Sequence, residues 1–279
     1  TTPSRAASCH TKLFHGVLDT QCLEARNLTE RALRQVFGLD VAYRDPGTRP
    51  GREAGVSIFG LKNFVMPIGN QFLELVTPLK PGPESAGGRY IARRQGAGGY
   101  MLLFQVTRSD YELHREHLEN QGVRLVAGGE ISESDSDALH IHPKDLPGCL
   151  VELRWCENED VADGDWWPVE RDWKDHRNTE IIEAIVGAEI QTPEPGRLAA
   201  QWADRLQQTL DQNHDNPTIL TADGPIRFVV PSDGRPEGLG GIDVKASDPV
   251  SLLRSAEEFG LRCEGHTIEV CGLRFNVVS

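Results

Sequence analysis

The order strand, helix, strands occurs four times along these 279 residues, and no other feature limits the possible folds as much. The first copy opens on the short apolar run 14–20, which contains His15. Asn27-Leu28-Thr29-Glu30 reads as a capping box, followed by Leu28, Ala32, Leu33 and Val36 at helical spacing and by Gly38, suited to a left-handed stop. The run 71–76, ended by Pro78, closes the copy as a strand. The second copy opens at 100–106, has a capping box at 109–112, runs through Leu113, His117 and Leu118 to Gly122, and closes at 149–154. The third opens at 181–186, carries Leu198, Ala199, Trp202, Leu206 and Leu210 on one helix face, and closes at 226–230. The fourth opens at 241–244 and starts its helix at Asp248-Pro249, a cap followed by proline at the first helical position. Leu252, Leu253, Ala256 and Phe259 form the buried face of that helix, Gly260 ends it, and 273–278 closes the copy.

A single unit of this kind leaves one sheet face bare and must pack against a sibling. The expected fold class is therefore α+β, with four βαβββ modules paired into two domains, 11–157 and 180–279. Between them, 158–179 reads as an acidic linker whose Trp166, Trp167 and Trp173 are expected to pack on the domain surfaces. Strand alternation sets Glu74 opposite Leu73 and Leu75, and Glu152 opposite Val151 and Leu153. Glutamate at equivalent places in two repeats points to a cavity lining rather than to exposed surface.

Charge narrows the partners. With 29 Lys and Arg against 42 Asp and Glu the net charge is −13, which argues against a nucleic-acid groove or an anionic membrane as partner. No apolar run approaches the roughly 18 residues that span a bilayer. Residues 1–8 lack an apolar signal core and read as a lead-in. The six cysteines (Cys9, Cys22, Cys149, Cys156, Cys263, Cys271) form no close CxxC pair, as expected of reduced thiols in a cytoplasmic protein. Arg89, Arg93 and Arg94 make the densest basic spot. They either grip a ligand carboxylate or phosphate or form a solvated helix face.

Two segments resemble a known family. Residues 142–153, running His-Pro-Lys-Asp-Leu-Pro-Gly-Cys-Leu-Val-Glu-Leu, are similar to the closing hairpin of methylmalonyl-CoA epimerases. Residues 88–94, with the turn 96–99, are similar to their intermodule helix. These proteins belong to the vicinal oxygen chelate superfamily, with glyoxalase I, extradiol dioxygenases and bleomycin-resistance proteins. The resemblance covers 11–157 and is one of layout alone over 180–279. It implies two glyoxalase-like domains, each module of a metal-binding pair giving one ligand from its opening strand and one from its closing strand. Mapped here, those positions are His15 and Glu74, then Met101 and Glu152. Met101 breaks the pattern, since thioether sulfur suits hard or borderline divalent ions poorly.

The resemblance thus implies a divalent ion (Zn, Mn, Fe, Co or Ni) on His15, Glu74 and Glu152, with His140 or His142 as a further donor. Glu152 or Glu74 would move the proton, and Met101, His142 and Arg89 would face the substrate. The plainer alternatives are a core histidine at 15 and a turn histidine at 142. Two functions follow. One is a metal-dependent isomerase, epimerase or lyase that stabilises an enolate of a small carbonyl compound or thioester. The other is a small-molecule binding or resistance protein of the bleomycin-resistance type, where an acidic cup favours a cationic or polyhydroxylated ligand. Strands of the second pair carry Glu183, Gly241, Asp243, Arg227 and Arg274. That pair reads as structural, and the chain as a monomer or homodimer.

Overall fold

Period-two runs become strands and period-3.6 runs become helices in the order β1 (His10–Val17), α1 (Leu23–Gln35), β2 (Tyr43–Arg44), β3 (Leu61–Ile68), β4 (Gln71–Pro78), α2 (Ala86–Arg94), β5 (Gly98–Gln105), α3 (Arg108–Asn120), β6 (Leu125–Ala127), β7 (Ser136–Ile141) and β8 (Leu150–Cys156). The chain continues with β9 (Ile182–Gln191), α4 (Pro195–Arg205), β10 (Leu210–Asp211), β11 (Thr218–Thr221), β12 (Gly224–Val229), β13 (Gly238–Ala246), α5 (Pro249–Phe259), β14 (Arg262–Glu264), β15 (Thr267–Val270) and β16 (Leu273–Val278). This computed structural model describes residues 10–17, 23–45, 56–80, 82–127, 136–157, 164, 166, 169, 172–212 and 215–279; the side chains of 10–17, 23–26, 58, 127 and 136 are not among them. The chain is α+β, as its periodicities predict.

In the first half β1 runs parallel to β4 and antiparallel to β5, and β5 runs parallel to β8. In the second half β9 is parallel to β12 and antiparallel to β13, and β13 is parallel to β16. The halves meet where Leu239 of β13 pairs with Gly99 of β5. A Cβ on Gly99 would sit 2.5 Å from Leu239 Cγ, so glycine is what lets the two strands approach. Side chains stitch the seam further. The Gln71 amide donates to Ile185 O (2.7 Å) and accepts from Ile185 N (3.0 Å), as a strand neighbour would. Trp202 Nε1 donates to Pro147 O at 2.7 Å.

Local starts differ from the sequence reading in two places. Helix α1 begins at Leu23, so Asn27 and Glu30 lie inside it rather than capping it. Helix α3 is capped by Thr107, whose hydroxyl accepts from Asp110 N at 3.1 Å, two residues before the expected Ser109. In both cases polar residues repeat close together and the earlier turn wins. Leu210 lies in β10, beyond α4. The fourth start is as expected: the Asp248 carboxylate accepts from Ser251 N at 3.0 Å, Pro249 follows, and Gly260 ends α5 with φ 91°.

One apolar core lies between the helices and the sheet and runs through both halves, from Phe64, Leu73, Leu102 and Leu153 to Trp202, Phe228 and Phe275. His114 of α3 is fully buried, and neither ring nitrogen has a hydrogen-bond partner. Burial pushes its pKa down to about 4 from the ordinary 6.5. The unfolded chain therefore binds a proton that the folded chain refuses, and stability declines as pH falls from about 6.5 towards 4. Urea unfolding should show a loss approaching about 2 kcal/mol between pH 6.5 and 5 from this group, absent in His114→Leu. Equal pH slopes for the two proteins would show that His114 is not held neutral.

Candidate functional site

Register places the expected site residues. Partners across a ladder share a sheet face, so His15, Glu74 and Val65 lie on one face, and His15 also pairs with Met101. Glu152 pairs with Leu103 of β5 and His140 of β7, and Leu103 pairs with Leu13. Among the described side chains, Glu74, Val65, Met101, Leu103, Glu152 and His140 stand on the face opposite the helix-covered core, as alternation predicts. Glu74 and Glu152 belong to β4 and β8, with β1 and β5 between them. Three strand steps amount to about 14 Å along a flat sheet, so only curvature could bring the two carboxylates together.

That concave face is a second core. Val65, Phe72, Val76, Tyr90, Tyr100, Met101 and Leu103 are buried there together with Trp166, Val169 and Trp173 from the linker. The Phe72 ring stacks on Trp166 (centroids 6.4 Å apart, 19°) and meets Trp173 edge-on (5.0 Å, 76°). The linker is tied down by Trp173 Nε1 donating to Gly164 O (3.3 Å), His176 Nδ1 at 2.8 Å from Asp40 Oδ2, and Arg177 Nη1 donating to Asn70 Oδ1 (2.6 Å). The described indoles thus enter the cup itself rather than its outer surface; Trp167 lies outside the described residues. The Trp166 indole N–H is buried without an acceptor.

Both glutamates are buried at 3% exposure, among apolar neighbours and neither at the surface. Glu74 Oε1 accepts from Asn63 Nδ2. Glu152 Oε1 accepts from Arg154 Nε at 2.6 Å, and Glu152 Oε2 lies 2.6 Å from His140 Nε2. Burial alone would raise the Glu152 pKa, but the Arg154 and His140 charges outweigh it and hold the carboxyl well below the usual range. The lining is therefore not acidic in effect: Arg154 neutralises Glu152. Sequence reasoning missed Arg154 and Asn63, although Arg154 stands two residues from Glu152 on the same face of the same strand.

The remaining expected residues scatter. Met101 is buried within the concave cluster. His142 is a turn histidine whose Nδ1 accepts from Lys144 N (3.1 Å). Arg89 is exposed and donates to Pro83 O (3.1 Å) and Glu84 O (3.3 Å). In the second half the same face carries paired charges. Arg227 meets both oxygens of Asp243, and Arg274 meets Glu189, Asp233 (3.2 Å) and Gln191 Oε1 (3.0 Å).

A divalent ion needs donors about 2.0–2.2 Å from one point. Among the described residues no three His, Cys, Asp or Glu side chains are grouped to hold one. The His15 side chain lies outside them, a thioether occupies 101, and the Arg154 guanidinium is already paired with Glu152. As arranged, the described donors do not fit the ion.

A strand–helix–strands unit repeated four times, with this concave face, defines a class, and the chain belongs to the vicinal oxygen chelate superfamily. It is 31% identical over 96 residues to ethylmalonyl-CoA/methylmalonyl-CoA epimerase of Cereibacter sphaeroides, a match covering 34% of this chain and 69% of that one. The fold is similar to a variant of 4-hydroxymandelate synthase from Streptomyces coelicolor (TM-score 0.63, 12% identity, 93% of this chain and 78% of that one). It is also similar to a hypothetical protein from Staphylococcus aureus (TM-score 0.61, 11% identity, 97% and 99%). No protein-family model matches the sequence. Among the described residues no helix is long and apolar enough to cross a membrane.

Removing one member of a buried ion pair strands the other charge, at about 3–5 kcal/mol. Glu152→Ala should lose that much in chemical denaturation, and Glu152→Gln combined with Arg154→Met should recover most of it. The carboxyl's stabilisation is full above its ordinary pKa and fades as pH falls below about 4.5, so wild-type and double-variant stabilities should converge in acid. A double variant as unstable as Glu152→Ala would show the pair is not the unit that matters.

Proposed function

We propose that the chain is a small-molecule-binding member of the superfamily that takes a small carbonyl compound or thioester on the concave face of residues 11–157 without a divalent ion. In this reading the four strand–helix–strands units pair as two glyoxalase-like domains, 11–157 and 180–279, and the linker 158–179 covers the ligand face. The observation that carries it is the Glu152 environment. Arg154 and His140 take both carboxylate oxygens, and an ion would have to displace a guanidinium held by charge and burial. The lining otherwise suits an organic ligand: aromatic and aliphatic walls with few polar groups, including an indole N–H and the His140 Nδ1, both buried without a partner.

A metal-dependent isomerase, epimerase or lyase is the second reading, favoured by the 31% identity to the epimerase. There Glu74 or Glu152 would be the residue that moves a proton, and the ion would be Zn, Mn, Fe, Co or Ni. The two readings separate in one measurement. Protein purified without chelator should carry less than about 0.1 of these ions per chain by mass spectrometry, and none should raise its melting temperature. Met101→His should leave that result unchanged, because Arg154 still occupies Glu152. About one ion per chain, or a stabilising ion, would establish the second reading instead.

A further inference from the structure

The three arginines on 89–94 separate into two surface groups and one buried group. Arg89 is tied to backbone carbonyls at the start of its helix, and Arg93 lies over the Tyr90 ring at 5.7 Å. Arg94, in the last turn of α2, is 0% exposed. Its Nη1 donates to Pro236 O, from the loop before β13, but Nε and Nη2 have no hydrogen-bond partner. Those two N–H groups form one edge of the guanidinium, the edge that grips a carboxylate with two parallel bonds. Arg124 shows the same edge in use, with Nε and Nη2 each 2.7 Å from an oxygen of Asp145.

The polar side chain beside Arg94 is Tyr90, whose phenol oxygen is within reach of the guanidinium but carries no charge to balance it. The Tyr90 phenol donates to Gly99 O and is neutral, burial pushing its pKa up to about 12. Arg235 adds a second positive charge to the seam, donating to Arg94 O (3.3 Å), Gly272 O (2.8 Å) and Ala97 O (2.5 Å). The neighbouring carboxylate, Asp233, is taken by Gln191, Arg235 N and Arg274. A Cβ on Gly238 would lie 2.5 Å from Arg94 Nε and 2.9 Å from Cζ, so this arginine requires glycine there. A buried guanidinium whose forked edge meets no anion is strongly unfavourable, and such groups call for an absent partner.

We propose that the seam between the two halves holds a small oxyanion, a carboxylate or phosphate group, on the Nε–Nη2 edge of Arg94. Arg235 supplies a second positive charge, and Gly238 leaves room for the Arg94 side chain itself. This site adjoins the concave face through Tyr90 but uses neither of its glutamates nor a metal. A free phosphate and the carboxylate of an organic molecule present the same two oxygens, so acetate and inorganic phosphate serve as separate probes.

The test is melting temperature and titration calorimetry on the full chain at fixed ionic strength, in sodium acetate, sodium phosphate or sodium chloride. Acetate or phosphate should raise the melting temperature by about 3 °C for each tenfold increase above its Kd, and the stronger of the two identifies the source. Arg94→Met should abolish the response. Arg94→Lys, which keeps the charge and loses the fork, should weaken it at least about tenfold and decides the matter if the methionine variant does not fold. Equal melting in all three salts, or an undiminished response in either variant (an adventitious ion only), overturns the site. Neither result touches the metal measurement that tests the concave face.

Discussion

Everything in the first half depends on what covers the second face of its sheet. Helices bury one face of such a sheet, and the other must find apolar cover or carry charge. Here the cover is the linker. Trp166 and Trp173 are large apolar groups delivered by a segment otherwise rich in acids, and they close over Phe72, Met101 and Leu103. Once that face is dry, a carboxylate within it cannot stay unpaired. Glu152 then requires Arg154, and Glu74 requires the Asn63 amide. The ion pair, the buried amide and the poor fit to a metal all follow from how the face is covered.

The second half meets the same requirement with charge instead. Its corresponding strands pair Glu189 with Arg227 and with Gly241, as the first half pairs His15 with Glu74 and with Met101. The same register position therefore pairs a histidine with a glutamate in one half, and a glutamate with an arginine in the other. Arg227 stands on its closing strand where the first half has Glu74, while Asn276 takes the place of Glu152 and Arg274 that of Leu150; each arginine is balanced by an acid from an opening strand. These side chains remain partly open to water, where paired charges cost little.

Much of this was legible in the sequence, for physical reasons that differ by level. The four units showed because apolar period and turn residues are local signals; Asp248, Pro249 and Gly260 did in the structure what their chemistry predicts. The faces of Glu74 and Glu152 followed from alternation alone. Helix starts at Asn27 and Ser109 were misplaced because a capping motif inside a helix looks like one at its end. The burial of the glutamates was not legible, since it depends on a linker more than ten residues away folding back over them. The partner of Glu152 was legible in principle, two residues along the same strand, but only once that face is known to be dry.

The arginine trio shows the limit most clearly. In sequence Arg89, Arg93 and Arg94 are equivalent charges near glycines, and helical spacing alone separates their directions by about 100° per residue. Tertiary contact decides the rest. Position 94 turns into the seam because β13 approaches β5 at Gly99, and Gly238, one residue before the pairing Leu239, has no side chain to exclude it. Two glycines distant in sequence thus create the space into which an arginine is driven. A charge placed there has no benefit to packing, since an apolar side chain would fill the same space without desolvating an ion. Its retention is understandable if the forked edge is used, and the fused architecture, rather than either half alone, is what builds the place where it can be.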